Sequence, residues 1–300
     1  MKVSVLMAAY NEARHIEAAV TSVVTQVLDA QLELVCVDDQ STDDTWPTLQ
    51  TLAQQHPQIK VFRNERKGKC EAFSLAFSHS SGDLVLLLAG DDMLPPGALQ
   101  ARISPWLKQT PADGTQYVSA CKYRTFSTDK RLDGMVIPKL EGKGALSGGT
   151  VVFSRTLAEQ MFPIPQGLIS EDLWLRCHFE YLDSTRIVDV PEVGLLYRLH
   201  DGNSLRRDVD FATKNEDIRR RAIVYGMFLE RYRGSLGAAA RDALERLSAL
   251  EILRSRRCSI SILCFKGTNL VDRGRALVYS KPLLYWFHRK LIRLSTGFSR

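Results

Sequence analysis

Residues 1–90 alternate short apolar runs with stretches of helical periodicity, and this alternation limits the fold more than any other feature of the sequence. The run Val3–Ala9 predicts a buried strand. Ile16, Val20, Val23, Val24 and Val27 follow at spacings that put them on one face of a helix. Leu32–Val37 predicts a second strand, and a helix over Thr45–Gln55 follows it. Ser41 and Asp44 precede that helix with capping-box-like spacing. A third strand is expected over 59–64, a third helix over 69–79 and a fourth strand in "DLVLLLA" at 83–89, apolar throughout as a central parallel strand is. Strands that alternate with helices imply βαβ crossovers, hence an α/β fold with a mostly parallel central sheet flanked by helices. Ligands of such sheets bind beyond the carboxyl ends of the strands. Polar clusters sit at three of these ends: "YNE", "DDQSTDD" and "GDD".

The remainder is patterned differently. Strands are expected in "TQYVSACKYRTF" and "TRIVDVPEVGLLYRLH", separated by a glycine-rich loop at 142–149 and a helix containing "SEDLWLRCHFEYL". After about residue 205 the pattern is helical and basic, which divides the chain into 1–205 and a helical extension over 206–300. The formal charge of +6 suits anionic partners: nucleotides, nucleic acid or anionic lipid. The longest apolar stretch falls far below the ~20 residues needed to span a bilayer. Six cysteines show no C-x-x-C pair or zinc spacing, and no signal peptide is visible, so a cytoplasmic, reducing location is expected.

Asp91 and Asp92 close the fourth strand. Paired carboxylates there suit a hard divalent cation, Mg²⁺ or Mn²⁺, that bridges phosphate oxygens; equally, they suit a solvated turn with one Asp capping the helix after Pro95. Asp38 and Asp39 end the second strand in the same way, as acceptors for a base or ribose or as an Asx-turn and helix cap. Glu171 and Asp172 open a helix, where carboxylates are also favoured by the helix dipole.

The segments "VSVLMAAYNE", "VDDQSTDDT", "GDLVLLLAGDDMLPPGAL" and "SEDLWLR", in this order, resemble family 2 glycosyltransferases with the Rossmann-like GT-A fold, over about residues 1–205. The resemblance implies an inverting transfer of a sugar from a UDP-, dTDP- or GDP-sugar to an acceptor hydroxyl on a glycan or a lipid-linked glycan, in cell-surface polysaccharide or lipid-linked glycan synthesis. It implies that Ala9, Tyr10 and Glu12 line the base pocket with Asp39 and Asp38. Asp91 and Asp92 would serve ribose and metal, and Asp172, beside Glu171, would be the base. Ala9 stands where the family has Pro, and Ala89 where many members carry the first Asp of D-x-D, so Asp91 and Asp92 both remain metal candidates. "LYRLHDGNS" resembles the segment that closes over the donor, with Arg198 or His200 meeting diphosphate or metal; the plain alternative is a structural strand end. Arg63, Arg66, Lys67 and Lys69 around Gly68 match a donor-side loop; the plain alternative is a solvated basic turn. The Q-x-x-R-W signature of processive synthases is missing, which favours adding one or few sugars.

Neither G-x-G-x-x-G nor a glycine-rich basic loop follows the first strand, against a dinucleotide dehydrogenase and a nucleotidyltransferase. No nucleic-acid-binding module is recognisable, so nucleic acid is not an expected partner. A catalytically inactive sugar-nucleotide fold or a basic surface-binding module remains the alternative to an enzyme. In the tail, Leu284, Phe287, Leu291 and Leu294 fall at helical spacing, with Arg289, Lys290 and Arg293 largely off that line. Two readings stand for it: an interfacial helix on an anionic membrane surface, or a C-terminal helix docked on the protein's own core with a solvated basic face.

Overall fold

The computed structural model describes residues 1–108, 115–182, 184–199 and 209–296, with side chains as far as Leu291 at the carboxyl end. His200, one of the sequence candidates, lies outside the described residues, as do the side chains of Ile292, Arg293 and Leu294. The chain divides into two compact units, Met1–Glu180 with Ser184–Asn203, and Tyr181–Asp183 with Ser204–Arg300.

In the first unit the elements are β1 Lys2–Ala9, α1 Ile16–Val24, β2 Gln31–Asp38, α2 Thr45–Gln55, β3 Ile59–Arg63, α3 Lys69–Ser78, β4 Leu84–Ala89, α4 Ala98–Lys108, β5 Gln116–Ser127, β6 Val136–Ile137, β7 Val151–Ser154, α5 Arg155–Met161, α6 Asp172–Tyr181 and β8 Thr185–Leu199. The sheet order is β3-β2-β1-β4-β7-β5-β6, with β8 pairing β5. β3, β2, β1 and β4 run parallel, and β7 enters antiparallel between β4 and β5. β1 has strands on both edges and helices over it, which is why it reads as an apolar run broken only by Ser4: Val3, Val5, Leu6 and Met7 are fully buried. One side of the sheet packs Val5, Met7, Leu34, Cys36, Leu86 and Leu88 against Ile16, Val20 and Val23 of α1 and Leu99 and Ile103 of α4.

Two local expectations are corrected. Helix α1 stops at Val24, one turn early, and Val27 is 85% exposed. The Ser41/Asp44 capping box does not form: Asp44 makes no side-chain cap, and Ser41 Oγ instead accepts from Asn11 N at 2.9 Å, across to the β1 loop. Asp43 does the local work, its Oδ1 accepting from Thr45 N and Oγ1.

The second unit contains α7 Phe211–Tyr232, α8 Ala238–Ser255, α9 Ser259–Leu263, α10 Leu270–Val278 and α11 Pro282–Thr296. Asp210 caps α7 by accepting from Ala212 N and Thr213 N. Arg254 is buried and donates to the carbonyls of Asn215 and Tyr279, joining α8 to α7 and to the end of α10. No described helix is long and apolar enough to cross a membrane.

The amino ends of β1–β3 meet at a single acid. Glu33 is buried, pairs with Lys2 at 2.7 Å and Lys60 at 3.1 Å, and accepts from Ser4 Oγ at 2.6 Å and Ser81 N at 2.5 Å. Burial alone would raise its pKa, but the bonds from Lys2, Ser4, Ser81 and Lys60 outweigh it and lower the value from 4.5 to about 2. A carboxylate depressed on folding contributes stability that is complete above about pH 4.5 and is lost as the pH falls towards 2. Glu33→Gln is expected to cost roughly 2 kcal/mol at pH 7 and to flatten the acid limb of the stability curve, read by urea melts between pH 3 and 7.

Candidate active site

The chain runs from β1 outward to β2 and β3, then returns to place β4 on the other side of β1. The crevice beyond the carboxyl ends of β1 and β4 is therefore the switch point of the sheet, where ligands of open α/β sheets bind. The two strand ends touch there. A Cβ on Gly90 would stand 2.8 Å from Ala9 Cβ, so glycine is the residue that lets them close. Small Ala9 serves this packing and is buried. Tyr10 beside it is exposed, with Lys67 Nζ 3.7 Å from its ring centroid.

Asp91 and Asp92 follow Gly90 and are both buried. Their third partner comes from far along the chain. Met93 and Leu196 exchange backbone hydrogen bonds of 3.1 and 2.8 Å, which brings the end of β8 against this turn. Arg198 N then donates to Asp92 Oδ1 at 2.9 Å, and its Nε donates to the Asp91 carbonyl at 2.8 Å. The guanidinium is stacked 4.7 Å from the Phe126 ring centroid. Burial first, then the neighbouring Asp91, raises the Asp92 pKa well above the usual carboxylate range.

Asp172 and Glu171 stand at the start of α6. The turn Gly148–Thr150 lies against them: Gly148 N donates to Asp172 Oδ1 at 2.8 Å, and a Cβ on Gly148 would touch Glu171 and Asp172 at 3.4 and 3.5 Å. Glu171 is buried and pairs with Lys69 at 2.8 Å, while its Oε2 has no hydrogen-bond partner among the described residues. Burial raises the Glu171 pKa, partly opposed by Lys69. For Lys69 the balance is reversed: burial lowers its pKa, but Glu171 and Asp172 outweigh burial and keep it protonated. Lys69 also feels Asp92, and Tyr197 is pushed up to about 12 by burial and by Asp92 and Asp91. Glu12, Lys69, Asp91, Asp92, Glu171, Asp172 and Arg198 thus form one electrostatic group.

Asp38 and Asp39 belong to a second group at the end of β2. Asp38 receives Ser41 N, the turn pattern that competes with ligand binding, and pairs with Arg63 at 3.2 Å. Asp39 Oδ1 accepts from Asn64 Nδ2 and Gly68 N, both at 2.8 Å, and so fixes the loop that leads into Lys69. The sequence reading did not include Asn64, Tyr197 or Gly148. Asn64 and Tyr197 carry no spacing signal, and Gly148 acts through its backbone N–H within a loop already marked by its glycines.

The donor set fits a hard divalent cation. Two adjoining buried carboxylates, one held well above its ordinary pKa by burial and by the other, concentrate oxygen donors and negative charge. Among the described residues no group of three His, Cys, Asp or Glu side chains converges as a cage. Among the described residues Asp91 and Asp92 would be the two carboxylates for such an ion, with phosphate and water filling other positions, an arrangement that suits Mg²⁺.

An α/β sheet with this switch-point crevice and acid cluster is of the GT-A type. Residues 1–349 of Staphylococcus aureus TarS, in complex with UDP-GlcNAc, match it with a TM-score of 0.59 at 19% identity, over 97% of this chain and 88% of that one. A mannosyltransferase from Pyrobaculum calidifontis, in complex with GDP-Man and Mn²⁺, matches with a TM-score of 0.56 at 18% identity, over 98% and 85%. The chain belongs to glycosyl transferase family 2, whose family model matches residues 4–159. An uncharacterised glycosyltransferase of Nostoc sp. is 37% identical over 101 residues, 33% of this chain and 31% of that protein. The dolichol-phosphate mannosyltransferase of Pyrococcus furiosus is 28% identical over 156 residues, 52% of this chain and 42% of that protein. The chain thus aligns with less than half the length of these two curated relatives.

Glu12 offers a test of the electrostatic group. Burial, then Asp91 and Asp43, raise its pKa from 4.5 to about 8. The folded state holds a proton there that the unfolded chain has released, so stability falls as pH rises from about 4.5 to 8. Glu12→Gln should remove that slope in thermal melts run in EDTA, and an unchanged slope would place Glu12 outside the group.

Proposed function

We propose that this chain is an inverting glycosyltransferase, moving a sugar from a nucleoside diphosphate donor to an acceptor hydroxyl in cell-surface polysaccharide or lipid-linked glycan synthesis. Residues 1–205 would be its catalytic region and 206–300 a helical accessory region. The observation that carries the reading is that the Asp91–Asp92 turn and the Asp172 carboxylate, which Gly148 N holds in place, act electrostatically on the same Lys69 and Tyr197. One positioned carboxylate facing a diphosphate site, with no second nucleophile required, suits direct displacement.

Asp172 would accept the acceptor O–H proton as that oxygen attacks the anomeric carbon. The carbon–oxygen bond to the diphosphate breaks, and the leaving group departs with the electron pair. Gly148 N bonds Asp172 Oδ1, and Oδ2, which has only a long 3.5 Å bond from Ser170 Oγ, would be the oxygen for the proton. Asp91 and Asp92 would hold Mg²⁺ or Mn²⁺, which as a Lewis acid stabilises charge on the departing diphosphate. Arg198, bonded to both members of the Asp91–Asp92 turn, adds a cation at the same place. Tyr10, Glu12 and Asp39 would line the base end, and Asp39 would act there chiefly by setting the 64–68 loop. Adding one or few sugars rather than a long chain follows from the missing processive signature.

Asp172→Asn is expected to lower transfer by about 10²–10⁴-fold while donor binding, read by calorimetry, stays near the unmodified protein; near-normal turnover would remove Asp172 from the mechanism. Asp92→Asn is expected to weaken nucleotide-sugar binding in Mn²⁺ and to leave the weak binding in EDTA unchanged. Equal affinity of the unmodified protein in Mn²⁺ and EDTA would assign charge neutralisation to Lys69 and Arg198 instead. A panel of UDP-, dTDP- and GDP-sugars in the same calorimeter identifies the base.

A further inference from the structure

The two halves of the sequence carry opposite charge. Residues 1–208 hold 21 Lys and Arg against 26 Asp and Glu, whereas 209–300 hold 19 against 8. From Ser259 onward Asp272 is the sole carboxylate side chain in the sequence, and it is bound by Asn269 at the start of α10. The charge that makes the chain basic is therefore gathered in the sequence of the helical unit.

Within that unit α11 has two apolar faces. The inner one is anchored by Tyr285, which is buried, donates its hydroxyl to Val209 O at 2.9 Å and lies against the Tyr279 and Phe211 rings. His288 packs on Tyr279 from the same side, and Arg289 donates to Val209 O. Leu284 is half-buried beside them, so the Leu284–Phe287 line suggested by the sequence is split between the two faces. The outer face is formed by Leu283, Trp286, Phe287 and Leu291, which are 63%, 48%, 51% and 65% exposed. A helix whose one task was to dock on its own protein would turn polar residues outward. Here the outward stripe is aromatic and aliphatic and is bordered by exposed Lys281 and Lys290, with Lys290 Nζ 4.4 Å from the Trp286 ring centroid. Nearby in the sequence, Leu263 and Leu270 are also exposed, on the rim of one apolar groove with Leu277.

We propose that the outer face of α11, with its flanking cations, is a docking surface for an anionic lipid bilayer. Aromatic and aliphatic side chains enter the headgroup boundary while Lys281 and Lys290 meet lipid phosphates. Charge decides between this occupant and a second copy of the chain. A two-fold interface through this stripe would set the same lysines against each other, and from Ser259 onward the sequence supplies a single acidic side chain, Asp272, to offset them. A surface of anionic lipid supplies the missing negative charge. The inference concerns the helical unit alone and goes beyond the catalytic reading, to which it would add a location where lipid-borne acceptors reside.

The test is co-sedimentation of the full chain with vesicles of phosphatidylcholine alone or mixed with phosphatidylglycerol. The protein should pellet with the mixed vesicles at low salt and be released by about 0.5 M NaCl, since salt screens the lysine–phosphate attraction. Trp286→Ser with Phe287→Ser, both at exposed positions, should retain the circular dichroism and melting of the unmodified protein and bind at least about tenfold more weakly. Lys281→Gln with Lys290→Gln should lose the preference for the anionic mixture. A blue shift of tryptophan emission on adding vesicles should vanish in Trp286→Phe. The proposal is overturned if the unmodified protein stays in the supernatant, or if the serine variant binds as well as it does. A concentration-dependent dimer that the serine variant abolishes, with no vesicle binding, would assign the face to a second copy and equally overturn it. Donor binding measured without lipid should be the same in every variant, and a chain that binds vesicles but no nucleotide-sugar would refute the catalytic reading and leave this one standing.

Discussion

Parallel pairing of β1 with strands on both of its edges is the constraint on which the rest of the first unit depends. Parallel strands end on the same side, so the polar residues after β1, β2 and β4 are delivered to one edge whatever their own preferences. Placing β4 next to β1 rather than beyond β3 puts the switch point beyond their carboxyl ends. The cost is a concentration of acids, three of them buried. Asp91, Asp92, Glu171 and Asp172 lie within electrostatic reach of one Lys and one Arg, and the pKa shifts of Asp92 and Glu12 measure the imbalance. Such an arrangement is poor for stability alone and suits a site that receives a cation with its ligand.

Much of the fold was legible because each signal was local. Strand and helix bounds in the first ninety or so residues follow from apolar periodicity, and the sequence expectation for α2 coincides with the observed Thr45–Gln55. Helix α1 was over-extended because Val27 fits the spacing but belongs to the loop. The Ser41 hydroxyl was misread as a helix cap because its partner, Asn11 N, is thirty residues away in sequence and adjacent only through the parallel pairing of β1 and β2. The candidate site divides on the same line. The acids were visible as pairs at strand ends, whereas Asn64 and the Gly148 N–H act through contacts that no local pattern encodes.

The Asp38–Asp39 pair shows how two neighbouring acids take different work. Asp38 is consumed by its own turn and by Arg63, the arrangement expected of an ordinary strand-to-helix corner. Asp39 instead holds the loop before α3, and through that loop sets Lys69 against Glu171. A carboxylate that never touches the reacting atoms can thus govern how the acid at α6 is presented, by fixing the lysine that balances it.

The bond from Arg198 N to Asp92 closes a loop of 106 residues. Contacts of such long sequence separation carry the largest loop-closure entropy and form late in folding. The β1–β4 sheet can assemble from neighbouring segments while the acid turn at its edge still lacks its arginine. During synthesis, the chain would present a nearly complete sheet before β8 has left the ribosome, so the Asp91–Asp92 turn gains its arginine only once translation has passed Leu199. Pairing of the acid turn is in this way tied to completion of the sheet that carries it.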